Sequence, residues 1–434
     1  MLLPARLLLD ACALWFALGI ASAIVPLLLL LWWTVGGLIL LMAVIDLARS
    51  WWEPEPAASR VVKSTLPLGV PSTVEITLGW ARGKRAACIA DHAPAGFECH
   101  DLPATLTLDP AQETKLNYRL RPLLRGEHRF GPIAIRIRSP WSLWWKQIAV
   151  RTDSTVKVYP NFAAYSRHAL QAADVSANRI GMLKRRRRGE GLDFEQLREY
   201  RMGDSPRQID WKATARIGKL ISREFQDERD QRILLLADCG RRMGARDSEL
   251  SHFDHALDTL LLLAYVGLRH GDAVGMMTLG GPRRMLAPHK STATLSRILH
   301  AVYDLQPTLE ATDFELAAQS LLTRERKRAL VVILTNVRDE DDESLLAAVR
   351  LLSRHHLVLV ASLRERSLDE ACAEPPASAA AHALRGTALD YRARRDASFR
   401  RLRQAGVLCL DVGPGELAIA TVNHYLEIKG RGLL

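Results

Sequence analysis

The strongest constraint in the sequence is a long apolar run that begins at Leu7 and ends at Leu47. A single helix of that length would be roughly 60 Å long at about 1.5 Å per residue, twice the ~30 Å hydrocarbon core of a bilayer. Pro26 interrupts the run, and proline removes a backbone donor and clashes with the preceding helical turn. The run therefore predicts a transmembrane helical hairpin in residues 1–50, with helices at about 7–24 and 27–47.

The residues that flank this run predict its orientation. Arg6 precedes it, whereas Arg49, Arg60 and Lys63 follow it, and basic flanks favour the cytoplasmic side. A cleaved signal peptide is the weaker alternative, because its apolar region is only about 7–15 residues long. We expect a multi-pass protein of the inner (cytoplasmic) membrane that contacts the lipid bilayer and keeps its soluble domains in the cytoplasm. Four tryptophans are candidate interfacial anchors, and the first two could equally pack within the hairpin: Trp32, Trp33, Trp51 and Trp52.

Length and composition limit the number of folded domains and indicate the redox compartment. With 434 residues, 48% hydrophobic and 25% charged, the chain has room for two or three folded domains and no sign of long disordered tracts. Its six cysteines form neither C-x-x-C pairs nor a metal-ligand spacing, which favours a reducing compartment. A bond between Cys88 and Cys99 would be expected only if that part of the chain faced an oxidising space.

The net charge of +11 is compatible with an anionic membrane surface or with nucleic acid. Its densest basic run covers residues 184–188, for which a solvated loop between domains is the main interpretation and a lipid-facing or partner-binding patch the alternative. No aromatic residues are interleaved with these bases, so we expect no specific nucleic-acid partner.

Residues 51–160 carry the pattern of an antiparallel β-sandwich. A short proline-rich linker at residues 53–56 precedes the first strand, and apolar and polar residues then alternate with period two. Because no helical stripe interrupts these strands, two packed antiparallel sheets are expected. The alternating apolar positions include Val74, Ile76, Leu78, Leu116, Tyr118, Leu120, Ile133, Ile135, Ile137, Val156 and Val158.

Residues 231–434 alternate instead between short apolar runs and helical stripes, which predicts a doubly wound α/β domain. The expected strands cover residues 233–237, 273–279, 329–334, 356–361 and 407–412. The expected helices cover residues 253–269, 342–353 and 416–429. A ligand of such a sheet would lie at the carboxyl ends of the strands.

Residues 161–230 form a charged segment that links these domains and interleaves opposite charges. Gly203 to Pro206 has turn and helix-start chemistry, and Trp211 offers a large apolar anchor. Two interpretations remain open: a clamp between the domains, or a docking surface for a partner protein. The candidate residues are Glu195, Arg198, Asp204, Arg207, Asp210, Trp211, Lys212 and Arg216.

The stretch from Gly189 to Arg216 closely resembles the signature of the domain-of-unknown-function 58 family. Motifs further upstream resemble the sandwich of that family: Arg125-Gly126, Phe130-Gly131-Pro132, Ser139-Pro140 and Tyr159-Pro160. One departure is that the Gly-Leu usual in the family after the upstream proline is Trp141-Ser142-Leu143 here.

This resemblance implies a von Willebrand factor type A-like fold in the C-terminal domain and a partnership with MoxR-type AAA+ ATPases. Domains of that fold commonly hold a divalent ion on an Asp-x-Ser-x-Ser loop, completed by a threonine and an aspartate. Aligned with that loop, the sequence keeps Asp238 and Thr312 but has Gly240, Arg242 and Asn336 at the other positions. We therefore expect a metal-free loop and no cofactor.

The chain also lacks a Gly-x4-Gly-Lys-Ser/Thr phosphate loop, so ATP chemistry would belong to the partner. The sequence favours a membrane-anchored, non-catalytic scaffold or adaptor that assists assembly or maturation of protein complexes, with no small-molecule substrate. The alternative is a metal-assisted hydrolase that would use Asp238, Thr312 and histidines such as His289, although no ligand pair at fixed spacing supports it.

Overall fold

A computed structural model describes residues 1–110, 112–161, 193–201, 206–226, 231–247, 250–373, 375 and 378–433. These residues form two compact units, Met1–Tyr159 and Pro160–Leu434. The basic run at residues 184–188 and the candidate Asp204 lie outside the described residues.

The apolar run folds into two helices, as the sequence predicts. Helix α1 covers Arg6–Ile24 and α2 covers Leu29–Trp51, with a single 3₁₀ turn at Pro26–Leu28 between them. Both helices are long and apolar enough to cross a membrane. Helix α2 continues to Trp51, beyond the predicted end at residue 47.

Two tryptophans and two glycines hold the hairpin together. The indoles of Trp15 and Trp32 stack with ring centroids 5.1 Å apart, and Trp15 Nε1 donates to the carbonyl of Trp32 at 3.0 Å. Each ring lies against a glycine of the other helix, because a Cβ at Gly36 would meet Trp15 Nε1 at 2.5 Å and one at Gly19 would meet Trp32 Nε1 at 2.8 Å. Trp32 therefore packs inside the hairpin.

The rest of the first unit consists of β-strands. A five-stranded antiparallel sheet has the order β1-β11-β10-β5-β7, a four-stranded antiparallel sheet β2-β4-β8-β6, and a three-stranded sheet β3-β12-β9. The strands are β1 Leu2–Pro4, β2 Ala57–Val61, β3 Thr65–Pro67, β4 Ser72–Gly79, β5 Arg85–Asp91, β6 Phe97–His100, β7 Ala104–Leu108, β8 Thr114–Pro122, β9 Gly126–Arg129, β10 Ile133–Arg138, β11 Trp144–Val150 and β12 Thr155–Tyr159.

A buried ion pair joins the two larger sheets. Arg60 on β2 forms a salt bridge with Asp91 on β5, and both side chains are fully buried. Tyr118 on β8 donates to the same carboxylate at 2.6 Å. Arg60, one of the basic flanks used above for orientation, is therefore an internal charge of the sandwich.

The described part of the second unit contains two small two-stranded sheets, β13-β14 and β16-β17, and a six-stranded α/β sheet. The six-stranded sheet has the order β19-β18-β15-β20-β21-β22 and is parallel except for the edge strand β19, which the sequence analysis missed. The strands are β13 Asp193–Glu199, β14 Ile221–Gln226, β15 Arg232–Asp238, β16 Arg246–Asp247, β17 Leu250–Ser251, β18 Ala273–Leu279, β19 Met285–His289, β20 Leu330–Thr335, β21 Leu357–Leu363 and β22 Leu408–Val412.

Helices cover both faces of the six-stranded sheet, so its strands are buried on both sides and read as continuous apolar runs. One core layer includes α4, α5 and α10, and the other includes α6, α7 and α9. The strands and helices expected from the sequence are present, but four further helices were not predicted: α5, α6, α8 and α9, of which α9 is the longest described helix of the domain. The helices are α3 Trp211–Ile217, α4 His252–Arg269, α5 Ala293–Val302, α6 Phe314–Arg324, α7 Asp342–Leu352, α8 Arg366–Ala373, α9 Ala379–Gln404 and α10 Pro414–Arg431.

The hairpin packing predicts opposite effects for two adjacent glycines. Gly36→Ala should displace the Trp15 indole and destabilise the hairpin by about 1–3 kcal/mol, the usual cost of overpacking. Gly37→Ala should be neutral or stabilise by up to about 1 kcal/mol, because a Cβ there meets nothing within 4 Å and alanine favours helix. Thermal unfolding in detergent measures both, and equal effects of the two substitutions would contradict this packing.

Candidate functional site

The order of the strands fixes where a ligand site would lie in the six-stranded sheet. The chain places β18 on one side of β15 and then β20 on the other. The connection that leaves β15 leads to α4 on one face of the sheet, and the connection that leaves β20 leads to α7 on the other face. The two connections therefore diverge and leave a crevice at the carboxyl ends of these strands, the usual ligand position in a doubly wound sheet. Asp238 ends β15 and Thr335 ends β20, so both residues lie at this crevice.

The Asp238 carboxylate is buried and bonded entirely within the protein. Its Oδ1 accepts from Thr312 Oγ1 at 2.5 Å and from the Gly240 N–H at 2.8 Å, and its Oδ2 accepts from Thr335 Oγ1 at 2.6 Å. Burial raises the pKa of Asp238, although these hydrogen bonds and the nearby charge of Arg242 oppose the shift. Asp238 therefore holds its own loop and two neighbouring hydroxyls in place.

Two glycines make room for the Thr312 hydroxyl. A Cβ added at Gly240 or at Gly280 would lie 2.2 Å from Thr312 Oγ1. Gly280 also adopts a left-handed φ of 66°, which favours glycine. From the sequence, Gly240 was interpreted as a lost hydroxyl ligand, and Gly280 was not identified. Both glycines are needed for the close approach of Thr312 to Asp238.

Arg242 lies at the edge of this cluster with only 6% of its side chain exposed. Its guanidinium is 3.3 Å from Glu340 Oε2, and Arg241 bonds the same oxygen at 3.0 Å. The charge of Arg242 acts on Asp238 and opposes the rise of its pKa.

These residues do not fit a divalent ion. A hard cation needs several oxygen ligands with free lone pairs, whereas both oxygens of Asp238 already accept hydrogen bonds within the protein. A serine at position 240 would displace Thr312 before it could contribute a ligand. The positive charge of Arg242 further opposes a cation.

Asn336 takes part in a second buried network at the same edge of the sheet. Its Oδ1 accepts from Arg395 at 2.9 Å, and its Nδ2 donates to Glu365 Oε1 at 3.1 Å. Nδ2 also lies 3.4 Å from Nδ1 of His252, a buried ring whose Nε2 bonds Asp247 at 2.8 Å. The candidate Asn336 therefore serves as a bridge between side chains.

Arg395 of α9 is the centre of this network, and its side chain is only 2% exposed. Its guanidinium donates to Ser362 Oγ, to the Leu363 carbonyl and to Asp411 Oδ1, each at 2.7 Å, and also to the Val337 carbonyl. These acceptors belong to β20, β21 and β22 or to the residues just after them. Arg395 thus links the carboxyl ends of three adjacent strands through its hydrogen bonds.

Arg395 does not stand out in the sequence because it lies among exposed arginines. The spacing of the apolar residues nevertheless indicates its position. Ala388, Phe399 and Leu402 are buried apolar residues of α9 at helical spacing, and Arg395 falls on the same stripe. An arginine at an apolar position of a helix indicates an internal charge with dedicated partners.

His289, assigned to the hydrolase alternative, lies away from Asp238. The register pairs Val274 with His289, but Leu279 with Asp238. Val274 and Leu279 are five positions apart on one strand, roughly 17 Å at about 3.3 Å per residue. His289 and Asp238 therefore cannot act on one small substrate, and this combination of residues is wrong.

In the charged segment, α3 packs beside the β13-β14 hairpin and is capped at both ends. Asp210 accepts from the N–H groups of Lys212 and Ala213, each at 3.0 Å, and Gly218 ends the helix at a left-handed φ of 73°. Asp210 also bonds Arg223 at 2.8 Å, and these interactions lower the pKa of Asp210. The α-helix begins at Trp211 with Asp210 as its N-cap, and Pro206, at the end of the stretch predicted to start a turn or helix, begins a 3₁₀ helix that covers Pro206–Gln208.

The two cations of α3 point outward, together with its tryptophan. Trp211 is 67% exposed, and Lys212 and Arg216, one helical turn apart, are also exposed. Arg198 is half-buried on β13. The side chains of Glu195 and Arg207 lie outside the described part of the chain.

Comparison with known proteins yields a family match for the centre of the chain. The model of the family "Protein of unknown function DUF58" matches residues 196–374. The match includes α3, the Asp238 loop and Asn336, in line with the resemblance noted from the sequence.

A curated relative is the uncharacterized protein YeaD of Bacillus subtilis, strain 168. It is 26% identical over 170 residues, which are 38% of this chain and 39% of that protein, so the match spans well under half of the relative's length.

Solved structures give only weak similarity. A non-cellulosomal cohesin from Archaeoglobus fulgidus is 15% identical, covers 26% of this chain and 97% of its own, and has a TM-score of 0.18. The cupredoxin domain of amoB from Nitrosocaldus yellowstonii is 14% identical, covers 20% and 54%, and has a TM-score of 0.15. Scores this low establish neither a shared fold nor a shared function.

Two neighbouring arginines of α9 provide a matched test of the buried network. Arg395→Lys should destabilise the domain by about 3–5 kcal/mol, because an ammonium cannot reproduce the planar fork and leaves buried acceptors unpaired. Arg394→Lys should change the stability by less than about 0.5 kcal/mol, since Arg394 is 59% exposed and forms surface pairs. Chemical denaturation measures both, and similar effects would contradict a special role for Arg395.

Because the residues of the Asp238 loop do not fit a divalent ion, we expect that neither Mg²⁺ nor Mn²⁺ stabilises the protein against thermal unfolding. An ion at about 100 times its Kd would add roughly 2.7 kcal/mol, so its binding would be easily detected. The substitutions Gly240→Ser, Arg242→Ser and Asn336→Asp should together destabilise the loop without creating a metal site. A Mg²⁺ response of the wild type that Asp238→Ala abolishes would refute this view.

Proposed function

We propose that this chain is a membrane-anchored, non-catalytic adaptor and that residues 206–226 present a docking surface for a protein partner. The partner class is the MoxR-type AAA+ ATPase that the family resemblance implies. Helices α1 and α2 provide the anchor, and the soluble parts face the cytoplasm, as Arg6 and Arg49 at the ends of the hairpin favour.

The observation that carries this proposal is the exposure of Trp211. Tryptophan is enriched at the energetic centres of protein interfaces, where it fills a pocket of the partner. Trp211 is 67% exposed on a helix fixed by Asp210 at one end and Gly218 at the other. An exposed indole on a fixed helix favours the docking interpretation of this segment over the clamp.

The surroundings of Trp211 indicate the chemistry of the partner. Lys212 and Arg216 form an exposed basic stripe beside it, and Ile217 and Leu220 are 56% and 48% exposed. A complementary surface would combine an apolar pocket with acidic side chains around it. We therefore assign an acidic, pocketed surface to the partner.

The crevice of the sheet supports a non-catalytic role. Hydrolysis needs a positioned base and an activated water, whereas Asp238 is bonded to Thr312 and Thr335, and Asn336 to Arg395. The side chains at the usual ligand position are thus engaged with one another. ATP hydrolysis would occur on the partner, because the chain has no phosphate loop.

Binding of the solubilised full-length chain to a purified MoxR-type ATPase tests the proposal. Trp211→Ala should weaken binding by about 30-fold, which corresponds to about 2 kcal/mol for an interface tryptophan. The double reversal Lys212→Glu with Arg216→Glu should weaken it at least tenfold and most strongly at low salt.

Matched controls come from exposed residues elsewhere in the same unit. Leu309→Ala removes a side chain of a residue that is 94% exposed, and Arg326→Glu with Lys327→Glu makes the same change in net charge. Both should bind like the wild type. Normal binding by Trp211→Ala combined with a lowered unfolding midpoint would favour the clamp and contradict the proposal.

A further inference from the structure

The strand turn at residues 139–143 is fixed to both ends of the helical hairpin. The backbone N–H of Ala5, just before α1, donates to the Leu143 carbonyl at 2.9 Å. From α2, Asp46 accepts from Ser139 Oγ at 2.5 Å, from the Trp141 N–H at 2.9 Å and from the Leu143 N–H at 3.3 Å. Asp46 is fully buried, and these three donors of the turn are hydrogen-bonded to its carboxyl group.

The contact extends further along the helices. Leu143 is buried together with Leu8 of α1 and Ala43 of α2, and Ile39 and Trp144 pack against them. Trp144 Nε1 also donates to the Ala43 carbonyl at 2.9 Å. The turn therefore contacts α1 near its start, at Leu8, and α2 at Ala43 and Asp46.

The length of α2 sets the depth of this contact in a membrane. Its 23 residues extend about 35 Å, slightly more than the ~30 Å hydrocarbon core. Asp46 comes 17 positions after Leu29, about 25 Å along the helix. If α2 spans the bilayer, Asp46 and the turn bonded to it lie at the boundary between hydrocarbon and headgroups.

The outer surface of the turn matches that boundary. Trp141 is 38% exposed, and the guanidinium carbon of Arg49 lies 5.6 Å from the centre of its ring. Trp51 and Trp52 are 71% and 84% exposed just beyond. Tryptophan and arginine together are typical of the headgroup region, where indoles prefer the interface and cations meet phosphates.

We propose that the turn at residues 139–143 is a third membrane-contacting element, seated in the headgroup region with Trp141 against phospholipid. The proposal rests on the hairpin spanning the membrane, and it adds that the sandwich is held at the bilayer surface through the Asp46 carboxylate. Lys146 strengthens the junction, because its ammonium donates to the carbonyls of Ser50 and Glu53 at 3.2 and 3.0 Å.

Site-specific photocrosslinking to phospholipid tests this contact. The full-length chain carries p-benzoylphenylalanine at position 141 in vesicles of phosphatidylcholine and phosphatidylglycerol, and lipid adducts are measured by mass spectrometry. Position 14 in α1, where leucine is 74% exposed, is the positive control. Position 124 is the negative control, since Leu124 is 36% exposed in the same unit and lies beside Gly96. Gly96 follows the end of β5, which pairs with the start of β10, whereas the turn at residues 139–143 follows the end of β10.

We expect lipid adducts at positions 14 and 141 and none at position 124. Adducts at position 14 without adducts at 141 would overturn the proposal while leaving the membrane anchor intact. An absence of adducts at both positions would refute the anchor as well.

The Asp46 carboxylate is tested separately in the same assay. Asp46→Ala removes the acceptor of three donors in the turn and should lower the adduct yield at position 141 several-fold without changing the yield at position 14. An unchanged yield at position 141 would show that the carboxylate does not hold the turn at the membrane.

Discussion

The buried guanidinium of Arg395 is the interaction on which the carboxyl edge of the α/β sheet depends. It reaches the ends of three neighbouring strands through Asn336, Ser362 and Asp411 and is almost completely shielded from water. A buried charge is tolerated only when its hydrogen bonds are satisfied, so the loops around it must keep their positions. This network and the Asp238 cluster fill the usual ligand position of the sheet. Their packing supports the proposal that the functional site lies on the surface of the domain.

In the other unit, too, a buried polar side chain requires that the loop around it supply its hydrogen bonds. Asp46 is an acid near the end of an apolar helix, and it is stable there because the turn at residues 139–143 supplies its donors. Ser142 in that turn has a left-handed φ of 59°, a conformation that favours glycine. This position falls where the sequence departs from the family pattern, and the turn keeps its contacts with Asp46 despite that departure.

The sequence predicts the elements of this fold better than their contacts. The hairpin and the parallel strands were predictable because long apolar runs have few alternative structures, and Pro26 marked the break. The packing of Trp15 against Gly36 was not, since it depends on the rotation of one helix against the other. Helix α9 was missed because its many arginines mask a sparse apolar stripe.

The candidate site shows the same limit. Asp238, Thr312 and Asn336 were found by motif, and they lie at the carboxyl edge of the sheet, yet their partners Gly280 and Arg395 come from distant positions that no local pattern links. Asp210 was selected as an interaction residue, although its spacing to Lys212 and Ala213 also matches a helix N-cap. The exposure of Trp211 could not be predicted, because a tryptophan in sequence is equally suited to a core.

Photocrosslinking in intact cells is the most direct test of the central claim that the surface around Trp211 docks a protein partner. A photoreactive residue at position 211 would be compared with one at position 309, where the leucine is even more exposed, at 94%, and lies far along the chain. The account predicts that position 211 yields one dominant adduct that contains a MoxR-type ATPase, whereas position 309 does not. Equal, nonspecific labelling at both positions would contradict it.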